Sequence, residues 1–366
     1  KEPDRVPIDF GGIQSSIHQV GHDLLLKHLG LPDCNAPIID RMQMIVKPSP
    51  ILIDKFHCDV EPLFAKPGGN WRLSIDPIND TFIDEWGIKY IRPKGGFWYD
   101  LTDHPLKEGT FKELNNYRFP DPKDPNRIDG LNKKAKEFYE KTDKVLMFFQ
   151  SFAGIFEHSF FLRGMENCYI DMVSNLKYLE ILADKITEYM IDWWDSILDA
   201  AGEYVHVVQI GGDLGNQTGP LFNPKIYRKV YKPREKMLID FLHKKAPNAK
   251  VFMHSCGSIY EFLPDLIEIG VDIINPVQVS AKNMESDKLK KEFGKDLVFW
   301  GGGADVSAMT NFTTKELEEE VKRRINELAP GGGYIFAPIH NIQPNVPPEN
   351  IITFFKTGYE FGRYPI

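Results

Sequence analysis

From about residue 145 onward, short apolar runs alternate with long amphipathic stretches, and each run stops on a glycine or a polar side chain. No other feature constrains the fold of this 366-residue chain as strongly. The runs are "KVLMFFQ" ending at Gln150, "VHVVQIGGD" at Asp213, "KVFMHSCG" with His254 where the apolar part stops, "VDIINPVQ" near Gln278, "LVFWGGG" at Gly303 and "GYIFAPIH" at His340. This is the pattern of βα units feeding a parallel sheet. Helix signals fill the gaps. Asn223 reads as an N-cap with Pro224 at the first helical position, Thr313 with Glu316 as a capping box, and "PPENIITFFKTGYEFGRY" as a terminal helix.

Six such strands, with "RVPIDFGG" near the start, approach the eight of a closed (β/α)8 TIM barrel, an α/β fold whose length this chain accommodates. A doubly wound open sheet is the alternative. Residues 31–140 break the rhythm with "KPSP", "KPGGN", "RPKGGFWYD" and "PDPKDPNR", turn chemistry that predicts hairpins and loops. We expect one domain over residues 1–366, with 31–140 an insertion capping the barrel mouth.

Charge narrows the function. Fifty-two acidic against 44 basic residues give −8, with no basic block, so neither nucleic acid nor an anionic membrane is an expected partner. Cys34, Cys58, Cys168 and Cys256 are too scattered for a disulfide framework, and no apolar run is long enough to span a bilayer. The chain opens on Lys1 without a signal-type apolar stretch, and the expectation is a cytoplasmic protein.

In a barrel, side chains at the carboxyl ends of the strands converge on one mouth. Asp213, His254, Cys256 and His340 would then face one another. His254 and Cys256 lie two apart on an extended strand, share a face and are both good zinc ligands. His340 is the expected third ligand, with water, substrate or Glu157 in the fourth place. Structural alternatives stay open: a hydrogen-bonded histidine, a cysteine acting as a small hydrophobe, and Asp213 capping its own turn. The "GGG" triplets lack the spacing and lysine of a nucleotide cradle. Phe149, Gln150 and Phe152 straddle a strand end, where a flat apolar wall suits an aromatic ligand, although core is the alternative for the phenylalanines.

The segments "PDRVPIDFGG", "GGDLGNQTGPL", "HSCGSIYEFLPDLIEIGVDIINPVQ" and "HNIQPNVPPENI", in this order, resemble the uroporphyrinogen decarboxylase superfamily across essentially the whole chain. The resemblance implies a (β/α)8 barrel and two branches of chemistry, porphyrinogen decarboxylation and corrinoid-dependent methyl transfer. Where the decarboxylases carry an arginine-bearing "MRQAGR"-like segment, this chain reads "DFGGIQSSIHQ", and substrate carboxylates would be buried unpaired. The methyltransferase branch fits better, since its zinc enzymes use a His-x-Cys pair. Their second cysteine is replaced here by His340. The resemblance therefore implies transfer of a methyl group from a methoxylated aromatic, or a similar small methylated compound, to the cobalt of a separate corrinoid protein, assisted by zinc on His254, Cys256 and His340. Asp213, His254 and His340 would be catalytic. Phe149, Gln150, Phe152, Asn275, Gln278 and Trp300 would contact substrate. A methylcorrinoid:thiol methyltransferase, a decarboxylase-like lyase and a non-catalytic binding module are the competing readings. A homodimer is one assembly open to such a barrel.

Overall fold

The computed structural model describes residues 2–366; Lys1 lies outside the described residues. Seven strands run parallel in chain order: β1 (Val60–Phe64), β2 (Val145–Phe149), β3 (Val207–Gly211), β4 (Lys250–His254), β5 (Ile273–Asn275), β6 (Val298–Trp300) and β7 (Tyr334–Ile335). Each pairs with its sequence neighbour, as right-handed βα crossovers dictate. The circle is closed by the amino-terminal segment. Asp9 N–H donates to the Phe336 carbonyl (2.9 Å), Phe336 N–H to Pro7 (2.8 Å) and, on the other side, Asp59 N–H to Ile8 (2.8 Å). Residues 7–9 are thus the eighth stave, and the architecture is the expected (β/α)8 barrel.

Apolar stripes hold helices against the strands. Helix Leu176–Ala201 buries Tyr178, Leu182, Ile186, Tyr189, Trp193 and Ile197, a helical repeat facing the sheet. The two N-terminal signals are present: the Thr313 capping box is formed on both sides, and Asn223 accepts from Lys225 N–H. The helix after Asn223 is not α throughout, however. A π turn at Tyr227–Tyr231 separates Pro224–Ile226 from Lys232–Lys245, because Pro233 has no N–H to continue the ladder.

Residues 31–140 are not a single insertion. β1 lies inside that stretch, and helix Leu131–Lys141 leads directly into β2. The "VEPLF" run hides because Glu61 and Pro62 interrupt its apolarity. Glu61 is neutralised by Lys47 (2.6 Å), and Pro62 lies against Gly11, where the sheet is closed by few ladder bonds. The rest of the stretch supplies strands Ile38–Asp40 and Ile45–Val46 of one small antiparallel sheet and the meander Thr81–Ile83, Lys89–Ile91, Asp100–Asp103. Among the described residues no helix is long and apolar enough to cross a membrane.

Candidate active site at the carboxyl ends of the strands

β4 ends at His254, and the chain turns sharply through Ser255, Cys256 and Gly257. Ser255 N–H donates to the Asn275 carbonyl (2.7 Å), so the turn stays attached to β5. Gly257 sits at φ +85°, and a Cβ there would meet the Gly215 backbone at 2.3 Å. The glycine of "HSCG" thus lets the turn lie against the loop that carries Asp213.

Three donor groups meet at this turn. Asp213, His254 and Cys256 place one ligand atom each within 4.8 Å of one another. The Cys256 sulfur is 3.4 Å from His254 Nε2, and Asp213 Oδ1 is 3.8 Å from the same nitrogen. Ligand bonds of about 2.0–2.3 Å in a tetrahedral zinc site bring donors to roughly such separations. The ring is held in a fixed orientation. His254 Nδ1 lies 2.6 Å from the Asn275 amide oxygen, and the Asn275 amide donates to the Trp300 carbonyl (2.9 Å). With the amide oxygen accepting, the proton sits on Nδ1 and the Nε2 lone pair faces Cys256 and Asp213. Asp213 Oδ1 also accepts from Cys256 N–H (2.8 Å), locking the two loops together.

Acidic groups crowd the turn and hold one another's protons. Burial and then the charges of Asp213 and Asp40 push Glu157 up to about 8. Burial, followed by Asp213 and Glu157, raises the Cys256 thiol well above its ordinary value. A dication at the three donors reverses that preference and favours the thiolate.

A cavity of about 460 Å³ opens beside Cys256. Cys256, His340 and Ile339 form its inner part, with Gln278 and Val306 along the side. Half-buried Asp305 and exposed Gln217, Ser280 and Ser307 complete the lining. His340 is kept neutral by burial and by nearby His254, and its Nδ1 contacts Asn341 Oδ1 at 2.9 Å. Gln278 accepts from Gly257 N–H (2.6 Å) and so braces the turn after β4.

The structure brings together only part of the expected set. Asp213, not His340, is the third member of the convergent donor group, and His340 faces the cavity. Of the expected substrate contacts, Gln278 lines the cavity and Asn275 stands behind His254. Gln150 is fully engaged elsewhere. Its amide donates to the Phe152 and Ala153 carbonyls (3.0 Å each), and its oxygen accepts from the Trp194 indole (3.1 Å). Phe149 stacks on Phe64, and Phe152 packs among Trp86, Tyr189 and Trp193. Trp300 is buried against Phe252 and donates to Asp9 (3.0 Å). None of these three aromatics lines the cavity, because the apolar faces at those strand ends are taken up by packing.

Sequence reasoning missed Asp9, Asp40 and Asp305. Asp9 is buried and accepts from Gly11 and Gly12 N–H, Ser15 Oγ and Trp300 Nε1, tying the closing stave to β6. Its signal was the polar residue before the glycines of "DFGG", the same strand-end pattern as "GGD". Asp305 caps helix Val306–Asn311 by accepting from Ser307 N–H, a role readable from "ADVS".

The family model described as uroporphyrinogen decarboxylase (URO-D) matches residues 102–361. The uroporphyrinogen decarboxylases of Geobacter sulfurreducens and Geobacter metallireducens are each 24% identical over 172 residues, 47% of this chain and 46% of theirs. The chain spans about half the length of the curated relatives it matches. A solved methyltransferase from Methanosarcina mazei superposes with a TM-score of 0.64 at 16% identity, covering 99% of this chain and 95% of the other. That likeness establishes a shared fold.

Proposed function

Since the chain belongs to the uroporphyrinogen decarboxylase family, we propose that it is the methyltransferase kind of member: it moves a methyl group from a methoxylated aromatic, or a similar small methylated compound, to the cobalt of a separate corrinoid protein. The observation that carries this reading is the convergence of Asp213, His254 and Cys256 beside a cavity without Lys or Arg in its lining. A porphyrinogen with many carboxylates finds no cationic partner there.

The three donors fit zinc: one imidazole oriented by Asn275, one thiol and one carboxylate, at separations suited to a tetrahedral site. What zinc supplies when bound there is Lewis acidity toward an ether oxygen. A carboxylate donates less electron density than the second thiolate of the thiol methyltransferases, which favours pulling on a leaving oxygen over delivering a thiolate.

The chain's own residues then have definite tasks. Asn275 holds the His254 ring, Asp213 fixes the Cys256 backbone, and Gln278 braces Gly257, so the donor set is rigid before substrate arrives. His340 presents a neutral ring to the substrate, and Val306 and Ile339 supply apolar contact. In the transfer the methyl carbon leaves oxygen without the bonding pair, cobalt(I) provides the pair for the new Co–C bond, and the phenolate takes a proton from water.

The test is product analysis. Zinc-loaded protein, a reduced corrinoid protein and a methoxyarene should yield the corresponding phenol in step with methylated corrinoid. A phenol yield no greater than that of the corrinoid protein alone would favour the non-catalytic binding reading.

A further inference from the structure

The cavity lining also specifies what the methyl donor carries at its other end. Asp305 Oδ1 accepts from Ser307 N–H (2.8 Å) and Oδ2 from Ser280 Oγ (2.6 Å). A carboxylate has about four acceptor sites, so roughly two remain. Gln278 spends its oxygen on Gly257 and keeps its amide hydrogens for a ligand. No Lys or Arg is among the lining residues. An anion placed here would be desolvated beside a carboxylate without a counter-ion, whereas a cation or a hydroxyl donor would be hydrogen-bonded.

We infer that Asp305 is the specificity residue of this cavity: it accepts a hydrogen bond from an ammonium or hydroxyl substituent of the methyl donor, and the cavity turns away carboxylated donors. The inference rests on the methyltransferase reading, because it takes the methyl end of the ligand to lie at Asp213, His254 and Cys256. The substituent then reaches toward Asp305, which lines the same cavity.

The experiment measures binding, not turnover, on the zinc-loaded full chain without any corrinoid protein. Four matched ligands are titrated by calorimetry or ligand-observed NMR: 3-methoxybenzylamine, 3-methoxybenzyl alcohol, 3-methoxybenzoate and anisole. The amine and the alcohol should both bind more tightly than the benzoate, the amine by at least about tenfold. Asp305→Asn keeps the helix cap and the side-chain volume. It should weaken the amine about 5- to 10-fold and leave anisole unchanged. The inference is overturned by a benzoate that binds as tightly as the amine, by an amine affinity unaltered in the variant, or by no measurable amine binding at millimolar concentration. Amine tighter than alcohol identifies the cationic source, and the reverse the hydroxyl one; either order with the benzoate last supports the assignment. If the binding order holds but methylated corrinoid never forms, the methyl-transfer reading fails while the specificity of the cavity stands.

Discussion

At His254 a single amide decides the chemistry. Asn275 takes Nδ1, Trp300 holds Asn275, and Nε2 is left facing Cys256 and Asp213. His340 has its own partner in Asn341 and lines the cavity instead. The two histidines should therefore answer differently to truncation. Asp213→Ala should lose zinc by at least about tenfold in affinity, measured by competition with a chromogenic chelator, whereas His340→Ala should retain zinc within about threefold. The opposite order would make His340 the ligand and Asp213 a mere brace for the turn. The His-x-Cys pair was legible in the sequence because its two residues share a strand end. The third donor was not. Choosing between Asp213 and His340 depends on which strand end lies next to β4, and β3 pairs with β4 along its whole length while β7 does not touch it.

Elements meet here through close backbone approach as much as through side chains. Helix Ile155–Arg163, which carries Glu157, begins at Gly154, where a Cβ would lie 1.3 Å from the Gly211 carbonyl oxygen. Gly154→Ala must push the helix away from the end of β3, and should cost about 3 kcal/mol or more in chemical denaturation. A variant as stable as the parent would mean that this contact yields easily. A second element-scale prediction concerns pH. Glu235 is buried in helix Lys232–Lys245, and burial pushes its carboxyl from 4.5 up to about 7, opposed by the hydrogen bond from Tyr227 (2.6 Å). The folded chain holds a proton that the unfolded chain releases. The stabilisation is full below about pH 4.5 and is lost as pH rises through 7. Glu235→Gln keeps an acceptor for Tyr227 and should flatten that loss, gaining up to about 3 kcal/mol on the parent at pH 9 relative to pH 4. Parallel pH profiles for the two proteins would show that Glu235 ionises freely in the fold. Caps and apolar runs in this half of the chain were readable from local chemistry, as the Thr313 box illustrates. β1 was not, because Glu61 and Pro62 are tolerated only by Lys47 and by the sparse pairing beside Gly11.

For the molecule as a whole, closure of the barrel by residues 7–9 brings Asp9 and Trp300 together and completes the mouth in which the donor centre sits. The cavity at the mouth lacks arginine and lysine. Uroporphyrinogen should therefore not be turned over, and coproporphyrinogen formation above background in a direct assay would place the chain with the decarboxylases of its family. Methyl transfer itself is read in a single-turnover optical experiment, in which zinc-loaded protein is mixed with a cobalt(I) corrinoid protein and 3-methoxybenzyl alcohol. The methylcobalt band should rise with the wild-type chain, and at a rate at least about 100-fold lower with Cys256→Ser at unchanged helical content. A methylcobalt band that grows equally fast in both would contradict the proposed function.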